Sequence, residues 1–208
     1  MAPDLTKIFL YRITHIKNIP HIHQNGITHT SSPNANSLYV SIGDESLISK
    51  RNNAILPNHK KVGDYIPFYF GSRMPMLYVI QKGFNGVPPT SPENIVYSVT
   101  SVQEIISQKL DFVFTDGHAF DSFSSFYKSS EIGSIENIID REAINSQYWI
   151  DENDLDKKRR KEAEFLALGD IQRVAIIGFI VYNEESKLKL LSFGIDNKQV
   201  HLKPKYYF

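Results

Sequence analysis

Two short segments of this sequence place polar side chains where they could do chemistry. In "KKRRKEAEFLAL", residues 157–168, Glu164 follows a basic run and stands in an apolar stretch. If the stretch is a strand, alternation puts Glu164 on one side with Leu166 and Leu168; if it is helical, Glu164 is a solvated charge. In "FVFTDGHAF", an apolar strand ends in polar residues and would deliver His118 to a cleft. A lone glutamate or histidine is more often structural, so neither segment assigns a function alone.

The amino-acid composition limits the classes of protein to which this chain can belong. With 208 residues, 41% of them hydrophobic, the chain can bury one sizeable core, and we expect a single domain over residues 1–208. Lysine plus arginine and aspartate plus glutamate number 23 each, so any binding to nucleic acid or membrane needs a local patch. Cysteine is absent, which excludes disulfides, thiolate metal sites and a cysteine nucleophile. Without a membrane-length apolar run or a signal peptide, we expect a cytoplasmic protein that does not bind membranes.

Strands and helices mix without a regular βαβ alternation, which predicts an α+β fold with mainly antiparallel pairing. A helix over residues 101–110 begins with a capping box of Ser101 and Glu104. A second helix is capped by Asn18 and ends at Gly26, and a third covers roughly residues 134–148. Pro67 predicts an edge strand or a bulge. Short β-branched or aromatic runs predict strands at residues 8–13, 38–42, 65–70, 95–99, 112–114, 174–182, 188–193 and 199–202, with a hairpin across "YNEESK".

Common site motifs are absent. The sequence has no P-loop, dinucleotide-binding glycine fingerprint, HExxH, GxSxG or EF-hand. His21 and His23 would point to nearly opposite sides of a helix, and no acid cluster joins them. We therefore expect no metal.

Several motifs together resemble the DarT toxins, a family of NAD-dependent ADP-ribosyltransferases that modify bases of single-stranded DNA. The two most specific are "YIPFYFGSRMPMLYVI" at 65–80 and "KEAEFL" at 161–166. They run in the family's order with "YRITHIKNI" at 11–19, "SKRNNA" at 49–54, "FVFTDGHA" at 112–119 and "EAINSQYW" at 142–149. Together they span most of the chain.

The resemblance implies an ADP-ribosyltransferase fold, in which a split antiparallel sheet with flanking helices forms a cleft for NAD, the co-substrate. It implies that Glu164, Arg51 and His118 are catalytic. Glu164 would stabilise the oxocarbenium-like ribose, and Arg51 would hold the cofactor phosphates and orient the base. We expect His118 or Glu164 to accept the base proton. Residues that match the family's NAD-binding positions are Arg12, Ile13, Thr14, His15, Arg51, Tyr69 and Met76.

The family resemblance also implies a toxin whose partner is a macrodomain antitoxin. We expect a monomer that modifies thymine at N3, with guanine as the alternative, and that prefers single strands to duplex. Single-stranded DNA is held by aromatic stacking and basic side chains. The candidate contacts are Phe120, Phe123, Tyr148, Trp149, Lys158 and Arg159.

Two further functions stay open. An NAD-dependent RNA 2′-phosphotransferase would keep the fold and change the acceptor, and would need a denser basic pocket. A catalytically silent module would bind nucleic acid or a partner, although the joint presence of Arg51, His118 and Glu164 argues against it.

Overall fold

A computed structural model describes residues 2–208, which contain eight strands. These are β1 (Phe9–His15), β2 (Tyr65–Tyr69), β3 (Ile95–Ser101), β4 (Phe112–Thr115), β5 (Phe126–Lys128), β6 (Glu164–Leu168), β7 (Gly178–Val181) and β8 (Val200–Leu202). They form one sheet in the order β5-β4-β6-β2-β1-β3-β7-β8. Every neighbouring pair is antiparallel except β7 and β8. The predicted α+β class with mainly antiparallel pairing is therefore confirmed.

The sheet divides in its middle, between β1 and β2. The register joins these strands at a single Cα pair, Tyr11 with Tyr69, whereas β2 and β6 stay in register from Tyr65 to Tyr69. Arg12 Nη1 reaches across the split and donates to the Pro67 carbonyl oxygen at 3.0 Å. Pro67 has no N–H, so the lack of a backbone partner on β1 leaves no donor of Pro67 without a hydrogen bond. Of the two structures that Pro67 predicted, an edge strand or a bulge, the edge strand is wrong, because β2 lies inside the sheet at the split.

Eight helices flank the sheet in the described residues. They are α1 (Ile19–Asn25), α2 (Glu45–Asn53), α3 (Pro75–Lys82), α4 (Val102–Ser107), α5 (Ile135–Ile138), α6 (Arg141–Asn145), α7 (Lys157–Lys161) and α8 (Glu184–Ser192). The Ser101 hydroxyl accepts from the Glu104 N–H at 3.2 Å and caps α4, as predicted. α1 ends at Gly26 with φ of 79°, also as predicted. No helix among residues 2–208 has both the length and the apolar character needed to cross a bilayer.

Four predictions about local structure are wrong. Residues 38–42 form no strand, and residues 188–193 lie mostly in α8, so the hairpin across "YNEESK" does not exist. Asn183 caps α8 by accepting from the Ser186 N–H at 2.9 Å. Asn18 does not cap α1; its side chain binds Thr14 and Val40 instead. The long helix predicted at 134–148 breaks, because Asp140 adopts an extended conformation and caps a new helix, α6.

Two cores pack on opposite faces of the sheet, since neighbouring residues of a strand point to opposite sides. The larger core includes Phe68, Phe114 and Phe165. The smaller core places α3 and the C-terminal Tyr207 against β3. Tyr207 is 2% exposed, and its hydroxyl lies 2.9 Å from the Ile180 carbonyl oxygen and 3.1 Å from that of Ile95. The end of the chain is thus anchored on the sheet.

We expect Tyr207→Phe to lower the free energy of unfolding by about 1 to 2 kcal/mol, because a buried hydroxyl bond is lost and the carbonyls gain no water. Chemical denaturation measures this change. The control is Tyr39→Phe, at a tyrosine that is 48% exposed, where we expect little effect. Equal stability of the Tyr207→Phe protein and the wild type would contradict the anchoring role.

Candidate active site

The strand interpretation of "EAEFLAL" is confirmed, because β6 begins at Glu164. This residue pairs with Tyr69 at the end of β2 and is 1% exposed. Phe165 packs in the larger core, whereas Leu166 packs on the opposite face in a third cluster with Val113. Glu164 therefore lies next to the split, on a strand that is buried on both faces.

Arg51 binds the Glu164 carboxylate with both ends of its guanidinium. The Nη1 to Oε1 distance is 2.8 Å and the Nη2 to Oε2 distance is 2.5 Å. Burial alone would raise the pKa of Glu164, but the charge and hydrogen bonds of Arg51, together with His118 and the Ala119 N–H, outweigh burial and lower that pKa. The same pair raises the pKa of Arg51 despite its own burial. Both side chains are therefore charged at neutral pH.

Helix α2, which carries Arg51, has no buried residue. Its last turn packs against the 3₁₀ turn Val62–Asp64, where a Cβ on Gly63 would come within 2.7 Å of the Asn52 Cα. Apolar packing contributes little to holding this helix at the cleft. The ion pair between Arg51 and Glu164 ties α2 to the sheet.

The turn after β4 wraps around the Glu164 carboxylate. The Ala119 N–H donates to Glu164 Oε1 at 2.8 Å. The Thr115 hydroxyl accepts from the Glu164 N–H at 3.0 Å and lies 2.6 Å from the Gly117 carbonyl oxygen. The polar end of "FVFTDGHA" is thus delivered to the buried glutamate, as the sequence predicted.

His118 completes the cluster. Its Nε2 lies 3.0 Å from Arg51 Nη1 and 3.9 Å from Glu164 Oε1. Burial lowers the pKa of His118, and the Arg51 charge lowers it further against the opposing effect of Glu164. A guanidinium can only donate, so Nε2 of the neutral imidazole is the acceptor and the ring proton is on Nδ1. The three residues predicted to be catalytic therefore lie in contact.

Two of the residues that match the family's NAD-binding positions, Thr14 and His15, form hydrogen bonds within the protein. The Thr14 hydroxyl accepts from Asn18 Nδ2 at 2.9 Å, and Asn18 also binds the Val40 backbone. This buried network ties the loop after α1 to β1. His15 Nδ1 accepts from the Lys17 N–H at 3.1 Å, and burial lowers the pKa of His15.

The remaining matched residues lie on β1, β2 and α3. Arg12 bridges it through Pro67, and Ile13 packs beside the smaller core. The Tyr69 hydroxyl donates to Met76 Sδ at 3.7 Å, which links β2 to α3. Asn18 was not predicted as part of the site, and its conspicuous position before Pro20 had suggested only a helix cap.

The aromatic DNA candidates differ in exposure. Phe123 is 82% exposed, Tyr148 69% and Phe120 40%. Trp149 is instead half-buried, with its ring centroid 5.6 Å from those of both Tyr78 and Phe208. Three of the four aromatic rings are thus free to stack on a base.

The basic run 157–161 is mostly neutralised within the molecule. Arg159 binds Asp156 and Asp116, Arg160 binds three aspartates, and Lys157 binds Asp151. Lys161 is buried and donates to the carbonyl oxygens of Ile144 and Ser146. In the described part of the chain, Lys158 alone in this run is exposed and forms no ion pair. Of the two basic side chains predicted to contact DNA, Lys158 is free to bind a phosphate, whereas Arg159 is already paired with Asp116 and Asp156.

Glu162 is a buried acid that the sequence pattern did not single out. It is 9% exposed, and burial, reinforced by the Glu164 charge, raises its pKa from the ordinary value of 4.5 to about 7. Its position two residues before Glu164 was the available signal. Residues 2–208 contain no group of three or more histidine, aspartate or glutamate side chains placed to hold a metal ion.

Solved structures similar to this chain include DarT complexes, and the fold is that of an ADP-ribosyltransferase. Thermus sp. 2.9 DarT in complex with ADP-ribosylated ssDNA matches with a TM-score of 0.81 and 29% identity, over 100% of this chain and 99% of that chain. The same DarT in complex with NAD+ matches with a TM-score of 0.79 and 28% identity, over the full length of both chains.

Sequence comparison narrows the class to one family. The family model described as "ssDNA thymidine ADP-ribosyltransferase, DarT" matches residues 11–208. The DNA ADP-ribosyl transferase of Escherichia coli O127:H6 is 31% identical over 97% of this chain and 94% of its own length. That of Thermus sp. 2.9 is 35% identical over 91% and 88%. The chain belongs to the DarT family, which confirms the resemblance seen in its motifs.

One relative carries a second enzyme. A Thermosipho africanus protein described as a DNA ADP-ribosyl transferase-DNA ADP-ribosyl glycohydrolase fusion is 29% identical over 94% of this chain. The match covers 47% of that longer protein.

We expect Glu162→Gln to stabilise the fold at pH 8. Because the pKa of Glu162 is raised in the folded state, its carboxyl does not reduce the free energy of unfolding well below pH 4.5. The reduction grows as the pH rises to about 7. The substitution should add on the order of 3 kcal/mol at pH 8 and under about 1 kcal/mol at pH 5. Urea denaturation at both pH values measures this. The exposed Glu152→Gln is the control, and a pH-independent effect would contradict the assignment.

Proposed function

We propose that this chain transfers ADP-ribose from NAD to N3 of a thymine in single-stranded DNA and releases nicotinamide. Membership of the DarT family makes it an NAD-dependent DNA ADP-ribosyltransferase. The choice of thymine is supported by the family's thymidine description, while guanine is the alternative acceptor. The observation that carries the proposal is the buried Arg51 and Glu164 pair beside His118 at the split of the sheet.

Glu164 stabilises the transition state. As the bond from nicotinamide to ribose breaks, positive charge develops on the ribose, and a nearby carboxylate bound to the ribose hydroxyls stabilises that charge more than the ground state. The carboxylate is ionised, and the Ala119 N–H fixes one of its oxygens. It is therefore preorganised for this role.

Arg51 holds and orients the reactants. Its fork binds Glu164 in this structure and also suits a phosphate or a base carbonyl. Because Glu164 raises the pKa of Arg51, the guanidinium is a poor proton acceptor. Arg51 thus contributes charge and geometry.

His118 accepts the proton from thymine N3. Its lowered pKa keeps the imidazole neutral, and the Nε2 lone pair accepts from Arg51 Nη1 in this structure. That lone pair becomes available to the base when Arg51 turns to a phosphate or a base carbonyl. The N3 proton moves to Nε2 as N3 forms its bond to the ribose C1′ and nicotinamide leaves with the electron pair of the broken bond. Glu164 is the weaker candidate, since Arg51 lowers the pKa of Glu164.

We propose that DNA contacts depend on Phe123, Phe120 and Tyr148 with Lys158, because all four side chains are exposed and Phe120, Phe123 and Lys158 lie in or near the His118 turn. A single-stranded base can stack on them without unpairing. With one free cation in the basic run, electrostatic attraction is weak. Trp149 then serves to hold its segment against α3.

We also propose the biological setting. The fused glycohydrolase of the Thermosipho relative supports a toxin whose partner is an antitoxin with an ADP-ribose-removing macrodomain. Residues 1–208 would act as one domain and as a monomer, in the cytoplasm, where NAD and DNA are both present.

Glu164→Gln should lower the rate of transfer by at least about 10² to 10³-fold, because it removes the charge that opposes the ribose cation. Glu164→Ala should do the same and still fold. Nicotinamide release with a single-stranded oligonucleotide measures turnover, and circular dichroism checks folding. A folded Glu164→Gln protein with normal turnover would refute the role of this carboxylate.

Mass spectrometry of a mixed-sequence oligonucleotide after incubation with NAD tests the acceptor. We expect one ADP-ribose added at thymine, and little modification of the same sequence as a duplex. Addition at guanine would favour the alternative base. Loss of phosphate from a 2′-phosphorylated RNA, with no DNA product, would favour the phosphotransferase. Absence of any product with either acceptor would favour a silent binding module.

A further inference from the structure

The side chain of Thr115 joins β4 to β6 at the point where their ladder ends. The register pairs Val113 with Leu166 and Phe114 with Phe165, but does not extend to Thr115 and Glu164. The next contact is made by a side chain instead, since the Glu164 N–H donates to Thr115 Oγ1 at 3.0 Å. The first residue of the catalytic strand is therefore held by a hydroxyl.

The same hydroxyl also holds the turn that carries His118. Its oxygen lies 2.6 Å from the Gly117 carbonyl oxygen and 3.3 Å from that of Glu164. A hydroxyl has one hydrogen, and the shorter contact identifies Gly117 as its acceptor. Thr115 is 0% exposed, so water cannot replace either bond. One oxygen thus satisfies the Glu164 N–H and fixes the turn.

The turn has little room to move once this bond is made. The His118 N–H donates to the Arg159 carbonyl oxygen at 3.0 Å. A Cβ on Gly117 would come within 2.4 Å of Arg159 Nη1 and 2.8 Å of Arg159 Cγ, so the turn packs closely against the Arg159 side chain. The Ala119 N–H then meets Glu164 Oε1. A shift at Thr115 would therefore move the donor that fixes the catalytic carboxylate.

We infer that Thr115 is a positioning residue for the transfer reaction, whose hydroxyl sets Glu164 against His118 and against the Ala119 N–H. This inference rests on the proposed function. Thr115 does not touch the reactants. It acts by keeping two groups in the relative position that the reaction needs, and errors of about 1 Å in such positions can reduce rates by about 10²-fold.

Thr115→Val tests the hydroxyl, because valine keeps the shape and removes the oxygen. We expect kcat to fall by about 10 to 100-fold, with the KM for NAD changed less than about threefold. Thr115→Ser keeps the hydroxyl and should restore kcat to within a few-fold, although it loses a buried methyl group. A residue that only stabilises the fold would not lower kcat while leaving the KM for NAD nearly unchanged.

Thr100→Val is the matched control. Thr100 is 1% exposed on β3, and its hydroxyl has no hydrogen-bond partner among the described residues. The same chemical change there breaks no bond, so we expect wild-type kcat. If Thr115→Val does not fold, Thr115→Ala and Thr115→Ser make the same comparison, since they differ by one oxygen.

NMR of the labelled histidines gives a second readout, with the His118 resonance assigned from a His118→Gln variant. His118 faces Arg51, Glu164, Asp121 and Lys158. We expect the titration of its ring to change in Thr115→Val and to return in Thr115→Ser.

Full kcat in Thr115→Val, or equal loss of kcat in the serine and valine variants, would refute the role of Thr115 while the wild type stays active. A wild-type protein that modifies no oligonucleotide would instead refute the proposed function, and the positioning role with it.

Discussion

The ion pair between Arg51 and Glu164 is the interaction on which the site depends. Removing two charges from water is expensive, and the loss is offset only when the geometry is good and other polar groups join. Here the fork contacts both carboxylate oxygens, and the Ala119 N–H adds a third bond. Because α2 buries no residue of its own, the same pair also positions that helix. The charges proposed to serve the chemistry therefore also organise the cleft.

The split of the sheet makes room for this pair. β1 and β2 meet at one residue pair and then diverge, and Arg12 spans the gap by donating to Pro67. A proline in an interior strand would normally break a ladder. At the split the missing N–H does no harm, because the neighbouring strand has moved away. Glu164 lies beside this opening through its pairing with Tyr69.

In the basic run 157–161, little of the positive charge faces outward. Arg159 and Arg160 form ion pairs with aspartates, and Lys161 donates hydrogen bonds to backbone carbonyl groups. Helix α7 is thereby a support: its Arg159 carbonyl oxygen holds the His118 N–H. Under the proposed function, recognition of single-stranded DNA falls to exposed aromatic rings, whose stacking does not require a large net charge.

The sequence by itself determined the fold class and the family, because the mix of strand and helix patterns and the order of the motifs can be read from neighbouring residues. Alternation left the segment around Glu164 open between strand and helix, and the structure decided for the strand β6. The spacing of hydrophobic residues led to the wrong prediction of a strand at residues 188–193, since short apolar runs fit helix and strand equally well. Only the tertiary structure decided that Arg51 meets a carboxylate 113 positions away and that Arg159 is occupied. It also revealed the double role of the Thr115 hydroxyl. Such contacts join distant segments, and local patterns carry no information about the partner that folding brings to a charge or a hydroxyl.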